Sequence, residues 1–208
     1  MKAIIWDLGG TLIDTFTANI ENLKRLLKQE NIKECNDIKI MSLMKKSITD
    51  TVRYYKDEYG LSDKAVEEFL YLNKNIKGEE TALYPDTREV LKWISNQGKM
   101  NFLLTHRGKS TIELLKYYDI LQYFTECVTK EYNFKRKPSP EALIYLIEKY
   151  KLNTDDIIVV GDRKIDIETA RNAHICSVYV KFDKIEKNLD IANYNITSLK
   201  ELKKIMLN

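Results

Sequence analysis

Five short apolar runs constrain the fold of this 208-residue chain more than any other feature. Each is rich in isoleucine, valine, leucine or phenylalanine and lacks the polar–apolar alternation of a half-solvated strand. The pattern predicts strands buried on both faces, which is typical of a parallel sheet covered by helices. The runs span residues 3–6, 101–104, 126–128, 157–160 and 177–180.

Helical patterns with recognisable ends separate the later runs. Asp86 and Glu89 have the spacing of a capping box, and Gly98 predicts the end of that helix. Ser139 followed by Pro140 predicts an N-cap and a proline at the first helical position. The alternation of strand and helix from residue 86 onward predicts an α/β fold with a Rossmann-like parallel sheet.

Residues 15–84 interrupt this alternation. Ile20, Leu23, Leu26 and Leu27 have helical spacing, and no convincing strand is found in the stretch. We therefore expect a helical insertion, or cap, over residues 15–84, placed between the two parts of an α/β core at residues 1–14 and 85–208.

The composition is that of an ordinary soluble protein. With 34 basic and 31 acidic side chains, the net charge of +3 gives little support for nucleic-acid binding. The four apolar residues before Asp7 are too few for a signal peptide or a membrane span, so we expect a cytoplasmic protein without a membrane partner. Cys35, Cys127 and Cys176 lack metal-ligand spacing, which favours buried, reduced thiols.

Polar side chains follow three of the apolar runs at the carboxyl end of the strand. Asp7 follows IIW, Thr105 follows NFLL, and Asp162 follows IIVVG, with Asp166 one helical turn further on. In a parallel sheet these ends meet at one edge, where ligands bind. Carboxylates gathered at one edge repel each other unless a cation lies between them, and oxygen ligands of this kind suit Mg²⁺.

The same edge has features that suit a phosphoryl group. The glycines after Asp7 let backbone amides approach an anion closely, and Thr105 offers a hydroxyl donor. Lys137, in the loop before a predicted helix N-terminus, adds a positive charge. The pattern therefore predicts a site for a phosphoryl group bound together with magnesium.

Four motifs in this order resemble those of the haloacid dehalogenase superfamily, in the subgroup with an inserted α-helical cap that includes phosphoglycolate phosphatase and β-phosphoglucomutase. The sequence DLGGT is similar to the first motif, DxDGT, and contains Asp7. Thr105 in FLLTHRG matches the second motif, and Lys137 in KPSP matches the third. GDRKID, with Asp162 and Asp166, matches the fourth motif. The resemblance covers essentially the whole chain.

This resemblance implies a phosphohydrolase that acts on a small phosphorylated metabolite. Asp7 is then the nucleophile that forms an aspartyl-phosphate, which water hydrolyses. Mg²⁺ is held by Asp7, the backbone carbonyl of Gly9 and Asp162, with Asp166 in the outer shell.

The resemblance also implies which residues contact the phosphoryl group. Thr105 and Lys137 are expected to have catalytic roles by gripping its oxygens, with Gly10 and His106 at the same phosphate site. The cap is expected to close over this site and select the substrate.

Gly9 departs from the family pattern, because phosphatases of this superfamily usually have a second aspartate there, which acts as general acid and base. Glycine cannot transfer a proton, so turnover is expected to be slow or to depend on a replacement acid. Two alternatives therefore stay open: a weakly active or inactive protein that binds a phosphometabolite, and a phosphonatase- or dehalogenase-type hydrolase. Lys45 and Lys46 are candidates for the cap lysine that a phosphonatase mechanism uses, although lysines are so common in this chain that a solvated helix face is the expected role.

Three further residues are candidates for a replacement acid or another role at the site. His106 directly follows Thr105 and is expected to be a structural neighbour of the site rather than the acid. Asp14 is expected to cap a helix N-terminus, and His174 to lie at a helix C-terminus as a polar cap.

Overall fold

The computed structural model describes residues 1–182 and 186–207. The strands in these residues are β1 (Ala3–Trp6), β2 (Ile13–Asp14), β3 (Ala82–Leu83), β4 (Met100–Leu104), β5 (Glu126–Val128), β6 (Ile157–Gly161), β7 (Cys176–Val180) and β8 (Tyr194–Ile196). The α-helices are α1 (Phe16–Gln29), α2 (Asp37–Lys46), α3 (Ile48–Tyr59), α4 (Asp63–Lys74), α5 (Thr87–Asn96), α6 (Ser110–Tyr117), α7 (Glu141–Tyr150), α8 (Lys164–Asn172) and α9 (Leu202–Leu207). Short 3₁₀ helices span Gly78–Glu80, Leu121–Tyr123, Lys130–Tyr132, Thr154–Asp156 and Leu199–Glu201.

Six strands form one parallel sheet in the order β5-β4-β1-β6-β7-β8. The first strand is central, and all four of its residues are fully buried because it has a strand on each side and helices over each face. Its last residue, Trp6, lies opposite Leu103 on one neighbour and Val160 on the other. The predicted α/β fold class and all five predicted strands are confirmed.

Strand β8, which lies at one edge of the sheet, was not predicted. Its three residues, Tyr194 to Ile196, run from exposed to buried and include an asparagine, so no apolar run marks them. The prediction that the insertion holds no strand needs a small correction, because Ala82 and Leu83 form β3. That two-residue strand pairs with β2, near the places where the chain passes into and out of the insertion.

The chain divides into two compact units. One contains residues 1–13 and 83–208, which include the parallel sheet, and the other contains residues 14–82, which include α1 to α4. In the helical unit the apolar stripe of α1, including Leu23 and Leu27, is buried with Ile40, Tyr55 and Phe69. Side chains of Asn36, Ser47 and Ser62 cap the following three helices.

Two predicted helix starts are wrong in detail. Asp86 precedes α5 in a left-handed conformation, with φ of 69°, and its side chain makes no capping hydrogen bond. Its carboxylate instead accepts from the Ser198 hydroxyl and pairs with Lys200. Ser139 is not the N-cap of α7, since the helix begins at Glu141 and Pro140 occupies the capping position. The predicted stop at Gly98 is confirmed by its φ of 67° just after α5.

The cysteines are unpaired, as predicted, but one prediction about their burial is wrong. Cys127 and Cys176 are partly buried, whereas Cys35 is exposed, because it lies in the polar segment between α1 and α2. Across residues 1–182 and 186–207, no helix combines the length and apolar character required to span a bilayer.

A buried asparagine connects the sheet to the segments that cover it. Asn101, on β4, accepts from the Trp6 indole N–H at 2.9 Å through its Oδ1 atom. Its amide nitrogen lies 3.2 Å from the Leu91 carbonyl oxygen, 3.1 Å from that of Tyr123 and 3.2 Å from the Ser95 hydroxyl. This fully buried side chain thereby satisfies polar groups on three segments.

We expect Asn101→Leu to lower the free energy of unfolding by about 3 kcal/mol, since the indole N–H and two carbonyls would lose a buried partner. Urea unfolding followed by far-ultraviolet circular dichroism measures the change. Asn172→Leu is the control, because its side-chain hydrogen bond to the Pro138 carbonyl is exposed and should contribute less than about 1 kcal/mol. Equal effects of the two substitutions would contradict the prediction.

Candidate active site

The candidate site centres on a buried lysine between two buried carboxylates. The Nζ atom of Lys137 lies 2.7 Å from Oδ1 of Asp7 and 2.7 Å from Oδ1 of Asp166. All three side chains are less than 5% exposed. Asp7 follows the central strand β1, Asp166 lies in the first turn of α8, and Lys137 lies in the loop before α7. Three distant parts of the sequence therefore meet at the carboxyl edge of the sheet.

Asp162 completes a cluster of three carboxylates. One carboxylate oxygen each from Asp7, Asp162 and Asp166 lies within 4.8 Å of the others, and all three residues are buried. Asp162 directly follows β6 and accepts from the Thr11 hydroxyl at 3.0 Å through its Oδ1 atom. The cluster combines the oxygen ligands and the excess negative charge that suit a hard divalent cation.

The segment after Asp7 forms a tight turn that is stabilised by hydrogen bonds to the backbone carbonyl of Leu8. The Leu8 carbonyl oxygen accepts from the amides of Leu12 and Ile13, and the Gly10 amide donates to the Ile13 carbonyl at 2.9 Å. Gly10 has a φ of 92°, a conformation that side chains with a Cβ rarely adopt. Gly9, the position where the family usually has an acid, contributes only backbone groups to this turn.

Gly161 makes room for Asp166. A Cβ atom at residue 161 would lie 2.3 Å from the Cβ of Asp166 and 2.6 Å from its Cγ. The glycine of the GDRKID motif is thus required sterically, because it lets the α8 carboxylate pack against the end of β6. The Asp166 carboxylate is held in addition by the backbone amide of Arg163 at 3.1 Å.

Arg163 is a site residue that the sequence analysis missed. Its guanidinium is 3.9 Å from Oδ1 of Asp7 and 3.9 Å from Oδ2 of Asp166. Its buried Nε–H has no hydrogen-bond partner among the described residues. Arg107, near the end of β4, was also not predicted. Burial lowers the pKa of its guanidinium to about 10, and the negative charge of Asp7 opposes this lowering. Both follow a predicted strand end by two or three residues, which was the one available signal.

Thr105 and His106 lie where the predicted strand end places them, but they make different contacts. Thr105 is buried and its hydroxyl oxygen accepts from the Arg107 amide at 3.2 Å. The Nε2 atom of His106 accepts from the backbone amide of Lys137 at 2.8 Å. The histidine therefore helps to position the Lys137 loop.

Opposing electrostatic effects set the charges of the cluster. Burial raises the pKa of Asp7, and the neighbouring Asp166 adds to the rise, while Lys137 and Arg163 oppose it. Burial also acts to raise the pKa of Asp166, but Lys137, Arg163 and the backbone amide lower it below the ordinary value. Burial acts to lower the pKa of Lys137, but the two carboxylates raise it, so this lysine stays charged.

Asp14 and His174, which were expected at helix ends, both make hydrogen bonds with backbone groups there. Asp14 accepts from the amides of Phe16 and Thr17 at 2.9 and 3.1 Å and so satisfies the first amides of α1, but Thr15 occupies the predicted N-cap position. His174 follows α8 with a φ of 57°, and its amide donates to the Arg171 carbonyl at 3.0 Å. It occupies the left-handed position that ends a helix.

Comparison with known proteins gives the family. The chain matches the haloacid dehalogenase-like hydrolases over residues 4–180. A phosphoglycolate phosphatase of Nitrosospira multiformis is 30% identical over 188 residues, which cover 83% of this chain and 80% of that protein. A hydrolase structure from Streptococcus pneumoniae TIGR4 covers all of both chains at 29% identity, with a TM-score of 0.68.

The structure of a predicted phosphoglycolate phosphatase from Haemophilus somnus 129PT shares the fold with a TM-score of 0.84 at 21% identity, over 99% of this chain and 97% of that one. The chain belongs to the haloacid dehalogenase-like hydrolase family, in the subgroup that the sequence motifs predicted. It is an enzyme, a phosphatase of that family.

We expect Gly161→Ala to destabilise the protein by about 2 kcal/mol, because its Cβ atom would overlap the Asp166 side chain and separate it from Lys137. Thermal unfolding and urea unfolding both measure the effect.

Gly108→Ala is the matched control. Its Cβ atom would lie 2.8 Å from Oε1 of Glu131, which is the movable end of an exposed side chain. The control should therefore change the stability by less than about 0.5 kcal/mol. A Gly161→Ala protein as stable as this control would contradict the steric role of Gly161.

Proposed function

We propose that this enzyme hydrolyses a small phosphorylated compound, with Asp7 as nucleophile and Mg²⁺ as cofactor. The observation that carries the proposal is the Lys137 ammonium, 2.7 Å from both Asp7 and Asp166, beside a third carboxylate at the edge of the sheet. This arrangement holds a carboxylate nucleophile, a fixed positive charge and metal ligands within a few ångströms.

The residues present fit a magnesium ion. Asp7 and Asp162 would hold it together with the Gly9 carbonyl oxygen, and Asp166 would act from the outer shell. The cluster has three carboxylates and one buried lysine, with Arg163 nearby, so its formal charge stays negative without a cation. When bound, Mg²⁺ supplies positive charge that offsets the charge of the phosphoryl oxygens.

Asp7 would act through the carboxylate oxygen that Lys137 leaves free. Lys137 binds Oδ1, so Oδ2 is the oxygen assigned to attack phosphorus. A new bond between Oδ2 and phosphorus forms as the bond to the leaving oxygen breaks, and the leaving group takes that electron pair. Water then attacks the phosphorus of the aspartyl-phosphate, which releases phosphate and restores the Asp7 carboxylate.

Lys137 and the strand-end groups would bind the phosphoryl oxygens. Lys137 keeps its proton and stabilises negative charge beside Asp7, while the Thr105 hydroxyl is the further donor we assign. The Gly10 amide, expected at the phosphate site from the sequence, already donates to the Ile13 carbonyl. His106 supports this arrangement through its hydrogen bond to the Lys137 amide. Positioning of this kind carries most of the catalysis in phosphoryl transfer.

Gly9 limits which substrates react fast. With no acid at position 9, the leaving oxygen must depart as an anion or take a proton from water or substrate, at a cost of about 10² to 10⁴ in rate. Leaving groups that are stable as anions are therefore preferred. The phosphoglycolate phosphatase relative supports a small acidic phosphate ester as the substrate class.

Turnover of p-nitrophenyl phosphate tests the nucleophile and the role of Gly9. We expect magnesium-dependent hydrolysis that falls by about 10³-fold or more in Asp7→Asn. It should rise by about 10²-fold in Gly9→Asp, because the new carboxylate can act as base for the water that hydrolyses the aspartyl-phosphate. Asp155→Asn, which removes an exposed carboxylate from a 3₁₀ helix, is the control and should match the wild type. Turnover retained in Asp7→Asn would reject Asp7 as nucleophile, and a wild type with no turnover would favour a protein that only binds its ligand.

Thermal unfolding tests the metal ligands without any substrate. We expect saturating Mg²⁺ to raise the unfolding temperature of the wild type by a few degrees, on the order of the 2–3 kcal/mol that a ligand at 100 times its Kd adds. Asp162→Asn should lose most of this increase, because it removes a proposed ligand, whereas Asp155→Asn should keep it. An equal increase in all three proteins would place the magnesium elsewhere.

A further inference from the structure

A basic pocket lies beside the candidate active site, within the unit that holds the parallel sheet. It has a volume of about 190 Å³ and is enclosed by the ends of β4 and β5, the loop before α7 and the start of that helix. Four of its lining residues are basic, and none is an aspartate or glutamate. The basic residues of this pocket are Lys130, Lys135, Arg136 and Lys137.

Three of these cations are not neutralised. Lys137 is held by Asp7 and Asp166, but the side chains of Lys130, Lys135 and Arg136 have no carboxylate partner within residues 1–182 and 186–207. The carboxylates that contact the pocket lining are bound to other groups: Glu141 accepts from the Lys135 backbone amide at 2.9 Å, and Glu131 accepts from the Thr129 hydroxyl at 2.6 Å. The basic pocket therefore has a net positive charge that the proposed phosphoryl site does not use.

His106 lines the same pocket as a neutral ring and determines how Arg136 can bond. Burial lowers the pKa of His106 to about 3, and the charges of Lys137, Arg136 and Arg163 add to the effect. The ring is thus neutral at physiological pH, and since its Nε2 atom accepts from the Lys137 amide, its proton must be on Nδ1.

Arg136 then keeps its donors for another group. Its Nε and Nη2 atoms lie 3.4 Å from Nδ1 of His106. A protonated Nδ1 cannot accept from them, so this contact satisfies none of the guanidinium N–H groups. In the described part of the chain Arg136 has no other side-chain partner, and an unpaired guanidinium is well suited to bind a carboxylate or phosphate through two hydrogen bonds.

We propose that the basic pocket binds the second anionic group of a substrate whose first phosphoryl group lies beside Asp7. The inference rests on the proposed function, because the same residues serve both positions. Thr105, His106 and Lys137 line the basic pocket and also belong to the proposed phosphoryl site, so the two anion positions adjoin at these three residues. The substrate class is a small phosphate compound that carries a carboxylate or a second phosphoryl group.

Chemistry at Gly9 is consistent with such a substrate. Without an acid at that position, negative charge develops on the leaving group as its bond to phosphorus breaks. Cations in the basic pocket would offset this charge when the leaving group itself is anionic. Arg136 and Lys130 would thus contribute to binding and to specificity, while the bond-breaking step stays with Asp7.

Three substrates test the proposal on one set of proteins. 2-Phosphoglycolate carries a carboxylate, pyrophosphate carries a second phosphoryl group, and p-nitrophenyl phosphate carries neither. We expect Arg136→Gln and Lys130→Gln each to lower kcat/KM about tenfold for one or both of the first two substrates, mainly through KM. The loss for p-nitrophenyl phosphate should be less than twofold. Lys92→Gln, which removes an exposed charge from α5, should leave all three values unchanged.

The pattern of losses identifies the second group. A loss confined to 2-phosphoglycolate supports a carboxylate in the basic pocket, and one confined to pyrophosphate supports a phosphoryl group. Equal losses for all three substrates would overturn the proposal, since they would mean that the variants disturb Lys137 through His106. No loss for any substrate would overturn it as well.

A binding measurement separates this proposal from the proposed function. Calorimetry with 2-phosphoglycolate and with pyrophosphate is carried out on Asp7→Asn and on Asp7→Asn combined with Arg136→Gln, after circular dichroism shows that both are folded. About tenfold weaker binding of either compound to the double variant supports the basic pocket even if the wild type hydrolyses nothing. Equal affinities, or no binding to either protein, would overturn the pocket assignment.

Discussion

The buried ammonium of Lys137 is the interaction on which the rest of the site depends. Asp7 and Asp166 would each be costly to bury alone, and the lysine would be costly to bury without them. Removing one partner of such a pair leaves an uncompensated buried charge, which typically costs about 3–5 kcal/mol. The three groups therefore require each other. This mutual dependence holds the loop before α7 against the end of β1 and the start of α8, so charge stabilisation and positioning of the nucleophile share one cause.

Steric and hydrogen-bonding features around the lysine serve the same geometry. The missing Cβ of Gly161 lets Asp166 approach the end of β6, and the His106 ring accepts from the Lys137 amide. Each of these residues is near the site without being a titrating member of the charged cluster. Backbone and van der Waals constraints therefore determine where the charges lie, and the charges determine what the site can bind.

The sequence allowed much of this site to be predicted, because strand ends in a parallel sheet converge whatever the details of packing. Asp7 and Asp162 were found in this way, whereas Lys137 was found from its place in the loop before a helix and from the KPSP motif. Their carboxylates and ammonium do meet. Arg163 was missed because its direction depends on which carboxylates attract a long, flexible side chain, and no spacing rule encodes that. Asp86 was misassigned for a related reason, since Lys200, more than a hundred residues away in sequence, competes for its carboxylate. Local patterns predict elements well, but long-range ion pairs decide side-chain directions.

Gly9 and the unpaired cations near Lys137 bear on one question, namely how negative charge on a leaving group is stabilised. A general acid does so by delivering a proton, and Gly9 excludes that route from its own position. Fixed cations do so by electrostatic attraction, which requires no proton transfer but does require that the leaving group be anionic or become so. Arg136 has donors that its contact with His106 cannot satisfy, whereas Arg163 is tied electrostatically to Asp7 and Asp166. Of these two arginines, Arg136 is therefore the one free to respond to the substrate. A site arranged in this way binds substrates with two negative groups most tightly. The second group meets cations that have no carboxylate partner in the described part of the chain.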